Sequence, residues 1–452
     1  MSKFNLAMLA ISVAALSACG GGTSESRDEP PAARGTIIYG TLAGHATQAQ
    51  IDAGTSASGL QPLSGKAKCE VDVRYVYYMT RDPQGQPATA SAGVLVPTGT
   101  DAACTGSRPV LLYAHGTATQ KSYNLADVTN NREASLMMAM YAAQGFIVIA
   151  PNFLGYERSS LSFHPYLNAE AQAVDMVDGL RAGLAHLKAE SSTKPSDKLL
   201  ISGYSEGGHV AVATHKVIER DYGSEFKVTA LAPMSGPYNM VGFGDVLVNV
   251  QPNAGATVFW PLVLTSYQKS YGNVYASPSE AYQAPFDATI ETLLPTDTSI
   301  ADLMAAGKLP ADPTLTRVFG QGGLIKDSFK AAYATSNLRK DLQANTLLGL
   351  STKRPVALCG GKMDPTVFYD INTTAMAADL KTRGMPLMAA YDLENLNSLP
   401  AGAAGQTVYF GFQQAKAAAG SSAQAQYHGG LVPPFCNALA RGFFQQVLAA
   451  GL

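Results

Sequence analysis

LLISGYSEGGHVAVATHKVIE, residues 199–219, joins an apolar run to a helical one through a glycine-rich turn. Residues 199–202 read as a buried strand, and from about residue 206 to 219 the apolar positions recur at helical spacing. The turn between them is Gly203-Tyr204-Ser205-Glu206-Gly207, with Gly208 as one more small residue. The string G-x-S-x-G arises readily by chance in a chain with 43 glycines, so the flanks carry the argument. A strand entering and a helix leaving are what a nucleophile elbow needs. Glycine on both sides of the sharp turn lets strand and helix approach without a Cβ clash. Ser205 Oγ is then expected to project above a sheet near a helix N-terminus, where the dipole favours developing negative charge.

On both sides of this turn, strands alternate with helices. Residues 69–80 and 89–97 are β-branched or aromatic strands separated by the Asp82-Pro83-Gln84-Gly85 turn, and they read as an antiparallel edge pair. Residues 110–114 form an apolar strand that ends in His115-Gly116-Thr117. A helix over 133–144, a strand over 146–150, a long helix over 169–190 and a strand over 226–232 follow. The alternation resumes with a strand at 355–359, a helix around 371–383, a strand at 387–393 and a final helix over 434–448. Apolar strands separated by helices imply a mostly parallel sheet covered on both faces, the α/β class. Residues 236–351 break the rhythm with Pro, Tyr and Gly and short helical patches near 298–306 and 327–333. A structureless loop of that length is improbable in a compact domain, so a mostly helical inserted cap is expected. The expected division is therefore a core over 36–235, a cap over 236–351 and a second core part over 352–452. Residues 35–63 read as weakly structured, and the Ala-, Gly- and Gln-rich stretch 395–425 as a second flap.

Serine needs a base within hydrogen-bond reach, and the chain has seven histidines. His209 and His215 lie on the helix after the elbow, which points them away from Oγ. His45 precedes the core, His164 sits in the loop after residues 146–150, and His186 is expected on the surface of the long helix. His428 is left, placed after the last strand and before the last helix in Gln426-Tyr427-His428-Gly429-Gly430. A carboxylate must hold the imidazole in one tautomer. Asp364, in a Gly- and Pro-bounded turn just past the strand at 355–359, suits this better than Asp392 or Glu394, although a helix N-cap would explain it too. The order Ser205, Asp364, His428 is the chain order of α/β-hydrolases. Oxyanion donors are expected from the Glu206 N–H, which follows the nucleophile, and the Thr117 N–H, with His115 orienting that loop.

The N-terminus, MSKFNLAMLAISVAALSACGGG, has one positive charge at Lys3 and an apolar stretch too short to span a bilayer. It ends in Leu16-Ser17-Ala18-Cys19, which resembles a bacterial lipobox. The expectation is a signal peptide over 1–18, lipidation at Cys19 and a flexible tether over 19–35, which implies an exported, outer-membrane lipoprotein; cleavage after Ala18 to leave a free Cys is the alternative. Cys69, Cys104, Cys359 and Cys436 are an even number in an exported chain, which favours two disulfides. Of the three connectivities, placement favours Cys69–Cys104 and Cys359–Cys436. No pair has the close spacing of a zinc site, so no metal is expected. A net charge of -2 with 15% charged residues provides no basic stripe for nucleic acid.

The stretches YAHGT (113–117), APNFLGYERSS (150–160), HPYLNAEAQAVDMVDGLRA (164–182), GYSEGGHVA (203–211), GKMDPTV (361–367) and YHGG (427–430) together resemble the secretory, lipase A-like branch of the α/β-hydrolases and its bacterial relatives. The resemblance covers most of 110–240 and 355–435. It implies a cap inserted after the sixth core strand and hydrolysis of carboxylic esters, of lipids or small molecules, with no cofactor. The cap itself carries no such match, so acyl specificity does not follow. Two other classes remain open. A serine aminopeptidase would need a cap carboxylate for the substrate ammonium, for which Asp287, Glu291 and Asp297 are candidates. A non-catalytic surface lipoprotein would need none of the triad.

Overall fold

The computed structural model describes residues 33–451; the expected signal peptide and Cys19 lie outside them. Nine strands are formed: β1 (Ile37–Ala46), β2 (Glu70–Arg81), β3 (Pro87–Thr98), β4 (Ser107–Ala114), β5 (Ile147–Pro151), β6 (Lys194–Tyr204), β7 (Val228–Met234), β8 (Val356–Gly360) and β9 (Leu387–Asp392). They make one sheet in the order β1-β2-β3-β5-β4-β6-β7-β8-β9. The run from β1 to β3 is antiparallel and joins β5 antiparallel; from β5 to β9 every pairing is parallel. The principal helices are α1 (Gln48–Ala57), α2 (Arg132–Met140), α3 (Ala169–Glu190), α4 (Glu206–Asp221), α5 (Met240–Asn249), α6 (Ala256–Tyr271), α7 (Asn337–Ala344), α8 (Ala375–Thr382), α9 (Ala403–Ala419) and α10 (Val432–Ala449).

The period-two geometry of a strand divides the core into two layers. On β4, Leu111 and Tyr113 join one buried cluster with α2, α9 and α10, through Met137, Phe412 and Phe444. Val110, Leu112 and Ala114 face the other way, onto Met176 and Val177 of α3, Val210 and Val217 of α4, and Met376 of α8. Each layer is apolar because the central strands are covered on both sides, and this is why they read as unbroken apolar runs. The segment between β7 and β8 has a third cluster of its own, built from α5, α6 and α7 through Met240, Trp260, Leu264, Leu338 and Leu342, with Tyr166 and Leu167 reaching in from the core.

The disulfides are Cys69–Cys104 and Cys359–Cys436, with Cα separations of 5.5 and 5.6 Å, as their placement suggested. Four expectations need correction. Residues 35–63 are not weakly structured: β1 pairs along β2, so the strands at 69–80 and 89–97 lie inside the sheet and β1 takes the edge. Most of β1 is exposed on both faces, which erases the alternation that would mark a half-buried strand. The stretch 395–425 is mainly the helix α9, anchored by Val408 and Phe412, and not a flap. His186 is buried, not on the helix surface. The cap contains α6, a 16-residue helix that the short patches read from sequence do not include.

Candidate active site

The elbow forms where expected. Ser205 has φ 59° and ψ −122°, a strained backbone for a residue with a Cβ. The glycines around it are sterically required. A Cβ on Gly203 would lie 2.1 Å from Gly207 O, and one on Gly207 would lie 1.9 Å from Ala114 O. A Cβ on Gly208 would meet Met234 O at 2.6 Å. β4, β6, β7 and α4 thus converge at the turn more closely than any side chain allows, and Ser205 stands at the first turn of α4.

His428 Nε2 lies 2.7 Å from Ser205 Oγ, and His428 Nδ1 lies 2.6 Å from Asp364 Oδ2. Asp364 is buried, and its other oxygen accepts from the Thr366 and Val367 amides at 2.9 and 3.0 Å. One oxygen thus faces His428 and the other closes a turn over Thr366 and Val367; the next helical element starts only at Asp370, so Asp364 is not a helix N-cap. His428 is not on a loop: it sits in a π-helical turn, Tyr427–Leu431, that runs into α10. Tyr204, the residue before Ser205, donates its hydroxyl to His428 O at 2.6 Å and so ties His428 to the elbow. The rival carboxylates are occupied elsewhere. Asp392 accepts from the Lys362 and Glu394 amides, and Glu394 pairs with Lys416 and accepts from the Tyr427 hydroxyl. His209 and His215 bond Asn345 O and Thr352 Oγ1 on the far side of α4.

The loop after β4 passes beside Ser205: a Cβ on Gly116 would sit 3.7 Å from Ser205 Cβ. Glu133, near the start of α2, holds that loop by accepting from Gly116 N at 3.1 Å and from the hydroxyls of Tyr113 and Tyr123 at 2.8 and 2.9 Å. His115 is buried, with its ring nitrogens 2.6 Å from Gly116 O and 3.1 Å from Asn152 O, and it stacks on Phe153. Burial pushes the His115 imidazole below its usual value. Sequence reasoning did not single out Glu133 or Tyr204. Tyr204 could have been found from its place in the elbow, whereas nothing local marks Glu133.

Two cavities meet at Ser205. One is a narrow slot of about 60 Å³ running into the cap, with an apolar wall that includes Leu167, Met240, Phe243, Leu247, Trp260 and Leu342. The other is a cleft of about 1670 Å³ that holds Asp364, His428, Gly116 and Thr117 and extends to α1. Neither is lined by Asp287, Glu291 or Asp297. Glu291 accepts from the Tyr275 hydroxyl and Asp297 from Ser122, so the carboxylates that a peptidase reading would need lie outside the two cavities at Ser205.

The family model described as Chlorophyllase matches residues 70–239. No curated protein matches the chain. Among solved structures, the chain is similar to the rice cell wall degrading esterase LipA from Xanthomonas oryzae, at 27% identity and a TM-score of 0.75, with 92% of this chain and 99% of that one covered. It also shares the fold of Candida antarctica lipase A at 16% identity and a TM-score of 0.54, over 79% and 77% of the two chains. The sheet order, the strained serine between strand and helix and the likeness to the esterase agree: the chain has the α/β-hydrolase fold and is related to its esterases and lipases, as a carboxylic-ester hydrolase.

Proposed function

We propose that the protein is an exported serine esterase that works through an acyl-serine intermediate, with Ser205, His428 and Asp364 as its triad. The unbroken hydrogen-bonded chain from Ser205 Oγ through His428 to Asp364 carries this reading. Asp364 accepts from Nδ1–H, which leaves the Nε2 lone pair facing Ser205. His428 takes the serine proton as Oγ attacks the ester carbon, a step in which general-base assistance contributes about 10²–10⁴-fold. The carbonyl oxygen, now an oxyanion, is held by the amides of Glu206 and Thr117, each worth about 10²–10³-fold where such donors have been removed. The C–O bond then breaks, His428 gives its proton to the departing alkoxide, and a water activated by the same imidazole hydrolyses the acyl-serine.

The cavities divide the substrate. The slot takes the acyl chain, and at the ~10–15 Å³ that one water needs it has room for about four to six carbons. The cleft takes the alcohol part, which can be large. Export is supported by the two disulfides, which persist in oxidising compartments, and lipidation at Cys19 by the lipobox-like Leu16-Ser17-Ala18-Cys19. A Cys19→Ser variant should move from the detergent phase to the aqueous phase on detergent partitioning.

The test of the activity is hydrolysis of p-nitrophenyl esters from acetate to palmitate by wild type beside Ser205→Ala. Activity that peaks at short chains and falls at least ~10⁴-fold in the variant supports the proposal. Activity that survives in Ser205→Ala refutes it.

A further inference from the structure

The residue after the nucleophile carries an unusual burden. Glu206 provides one of the two proposed oxyanion amides, yet its own side chain is an acid with no solvent exposure. Its Oε1 accepts from Gln172 Nε2 at 2.6 Å and lies 2.5 Å from Nε2 of His164, whose side chain is also fully buried. His164 Nδ1 lies 2.7 Å from Leu154 O. A carbonyl oxygen only accepts, so Nδ1 bears a hydrogen. Two lone pairs cannot face each other across 2.5 Å, so a second proton lies between Nε2 and Oε1. The 3.3 Å between Gln172 Nε2 and His164 Nε2 is the separation of two donors that converge on one oxygen. Burial alone would raise the Glu206 acid. The charge and hydrogen bond of His164, helped by the Gln172 amide, outweigh it and leave that acid below its ordinary value.

The same segment reaches the second amide. Two residues past His164, the Tyr166 hydroxyl lies 3.0 Å from Thr117 Oγ1. The Tyr156 hydroxyl donates to Ala118 O at 2.6 Å. Phe153, Glu157 and Leu167 in this stretch hold positive φ of 65°, 48° and 54°, a strain that persists only where the surroundings over-determine the backbone.

We propose that His164 is a buried imidazolium whose ion pair with Glu206, together with the Tyr166–Thr117 hydrogen bond, fixes both oxyanion amides, so that His164, Gln172 and Tyr166 are positioning residues for ester hydrolysis. The proposal rests on the reading that Ser205 is the nucleophile. Its physical content is charge balance. A carboxylate directly behind an amide that must stabilise an oxyanion opposes catalysis unless a cation neutralises it in the same low-dielectric site. Removing the cation alone therefore harms the transition state more than substrate binding, and removing both charges restores balance.

The experiment compares His164→Gln, the double variant His164→Gln/Glu206→Gln and Tyr166→Phe with wild type and Ser205→Ala, using p-nitrophenyl butyrate. His164→Gln should lower kcat ~10²-fold with KM within ~3-fold, a loss of transition-state stabilisation alone. The double variant should recover to within ~10-fold of wild type. Affinity for a trifluoromethyl ketone, which forms an oxyanion adduct with the nucleophile, should track kcat through the series. Tyr166→Phe removes one oxygen and keeps the packing, so it remains informative if His164→Gln fails to fold; it should lower kcat ~10-fold at constant KM. A double variant no better than His164→Gln overturns the ion pair, and Tyr166→Phe at the wild-type rate overturns the brace on Thr117. Full activity in Ser205→Ala would instead remove the underlying reading, whatever the His164 series shows.

Discussion

Gly207→Ala separates what the elbow does for stability from what it does for catalysis. The added Cβ would lie 1.9 Å from Ala114 O, 2.5 Å from Ala114 C and 2.6 Å from His115 O. These are backbone atoms of β4 and the oxyanion loop, so no side chain can rotate to relieve the clash. Real Cβ contacts stay above 3.0 Å, so β4 and the elbow must part by at least 1.1 Å (3.0 minus 1.9). Overpacking of this kind costs about 1–3 kcal/mol. For the ~420 described residues, with an unfolding entropy of ~2.1 cal/mol/K each, that lowers Tm by only about 1–3 °C. The same ~1 Å, applied between Ser205 and the Gly116–Thr117 loop, costs about 10²-fold in rate. The activity loss should therefore far exceed the stability loss. The assay is kcat/KM for p-nitrophenyl butyrate on folded, concentration-matched enzyme, with Tm from differential scanning calorimetry. Gly429→Ala is the control: it adjoins His428, but a Cβ added there would meet nothing within 4 Å, and it should stay within ~3-fold of wild type. Gly207→Ala with wild-type kcat/KM would refute the argument that the close approach of β4 positions the oxyanion donors.

Removing the Cys359–Cys436 bridge by Ala substitution frees a 77-residue loop, worth about 4.5 kcal/mol on the chain-entropy account, against about 3.8 for the 35 residues of Cys69–Cys104. Denaturant unfolding should rank the two double variants in that order, and only the first, which joins the acid strand to the helix after His428, should also lose esterase activity; the reverse order would count against the bridge. Leu247→Ala opens the slot wall and should raise kcat/KM for octanoate relative to butyrate, whereas an unchanged ratio would show that the acyl chain lies elsewhere. His209 and His215, pushed down to about 4 by burial, take up protons when the chain unfolds between pH 4 and 6.5, while Asp175, pushed up to about 7 by burial, releases one. The net uptake of one proton by these groups means stability falls by roughly 1.4 kcal/mol per pH unit on acidification through that window. Asp175→Asn removes the opposing proton and should steepen the fall in Tm; an unchanged slope would contradict the sign.

What the sequence revealed and what it hid follow from how local each signal is. The strands of the parallel half are covered on both faces, so β4, β5 and β7 stand out as apolar runs. β1 is exposed on most of its length and carries no alternation. α6 is buried nearly all round, with Thr257, Thr265 and Ser266 inside and Pro261 in its interior, so it has no apolar stripe against a polar one. α9 has only Gly405, Val408 and Phe412 buried among 17 residues, and its Ala- and Gly-rich composition reads as a flap. In each case the element is held by tertiary packing and not by its own pattern, which is where periodicity fails.

The site divides along the same line. Ser205 is legible because strand, turn and helix are contiguous, and His428 and Asp364 because chain order and turn residues narrow the choice. Glu133, His164 and Gln172 are not, because each acts on a residue 17 or more positions away: Glu133 on Gly116, His164 on Glu206 and Gln172 on Glu206. Yet the burial of His164 and Gln172 is informative once the fold is known. A buried carboxylate persists only when donors or a cation satisfy it; Glu206 is held at Oε1 by His164 and Gln172 while its Oε2 has no hydrogen-bond partner among the described residues, and the half-buried Glu133 accepts from Gly116 N and the hydroxyls of Tyr113 and Tyr123. The buried Glu206 acid and its His164 and Gln172 partners are difficult to explain by fold stability, since apolar residues would fill these places at less cost. Their position is explained if the backbone they hold must not move while charge develops on the substrate oxygen.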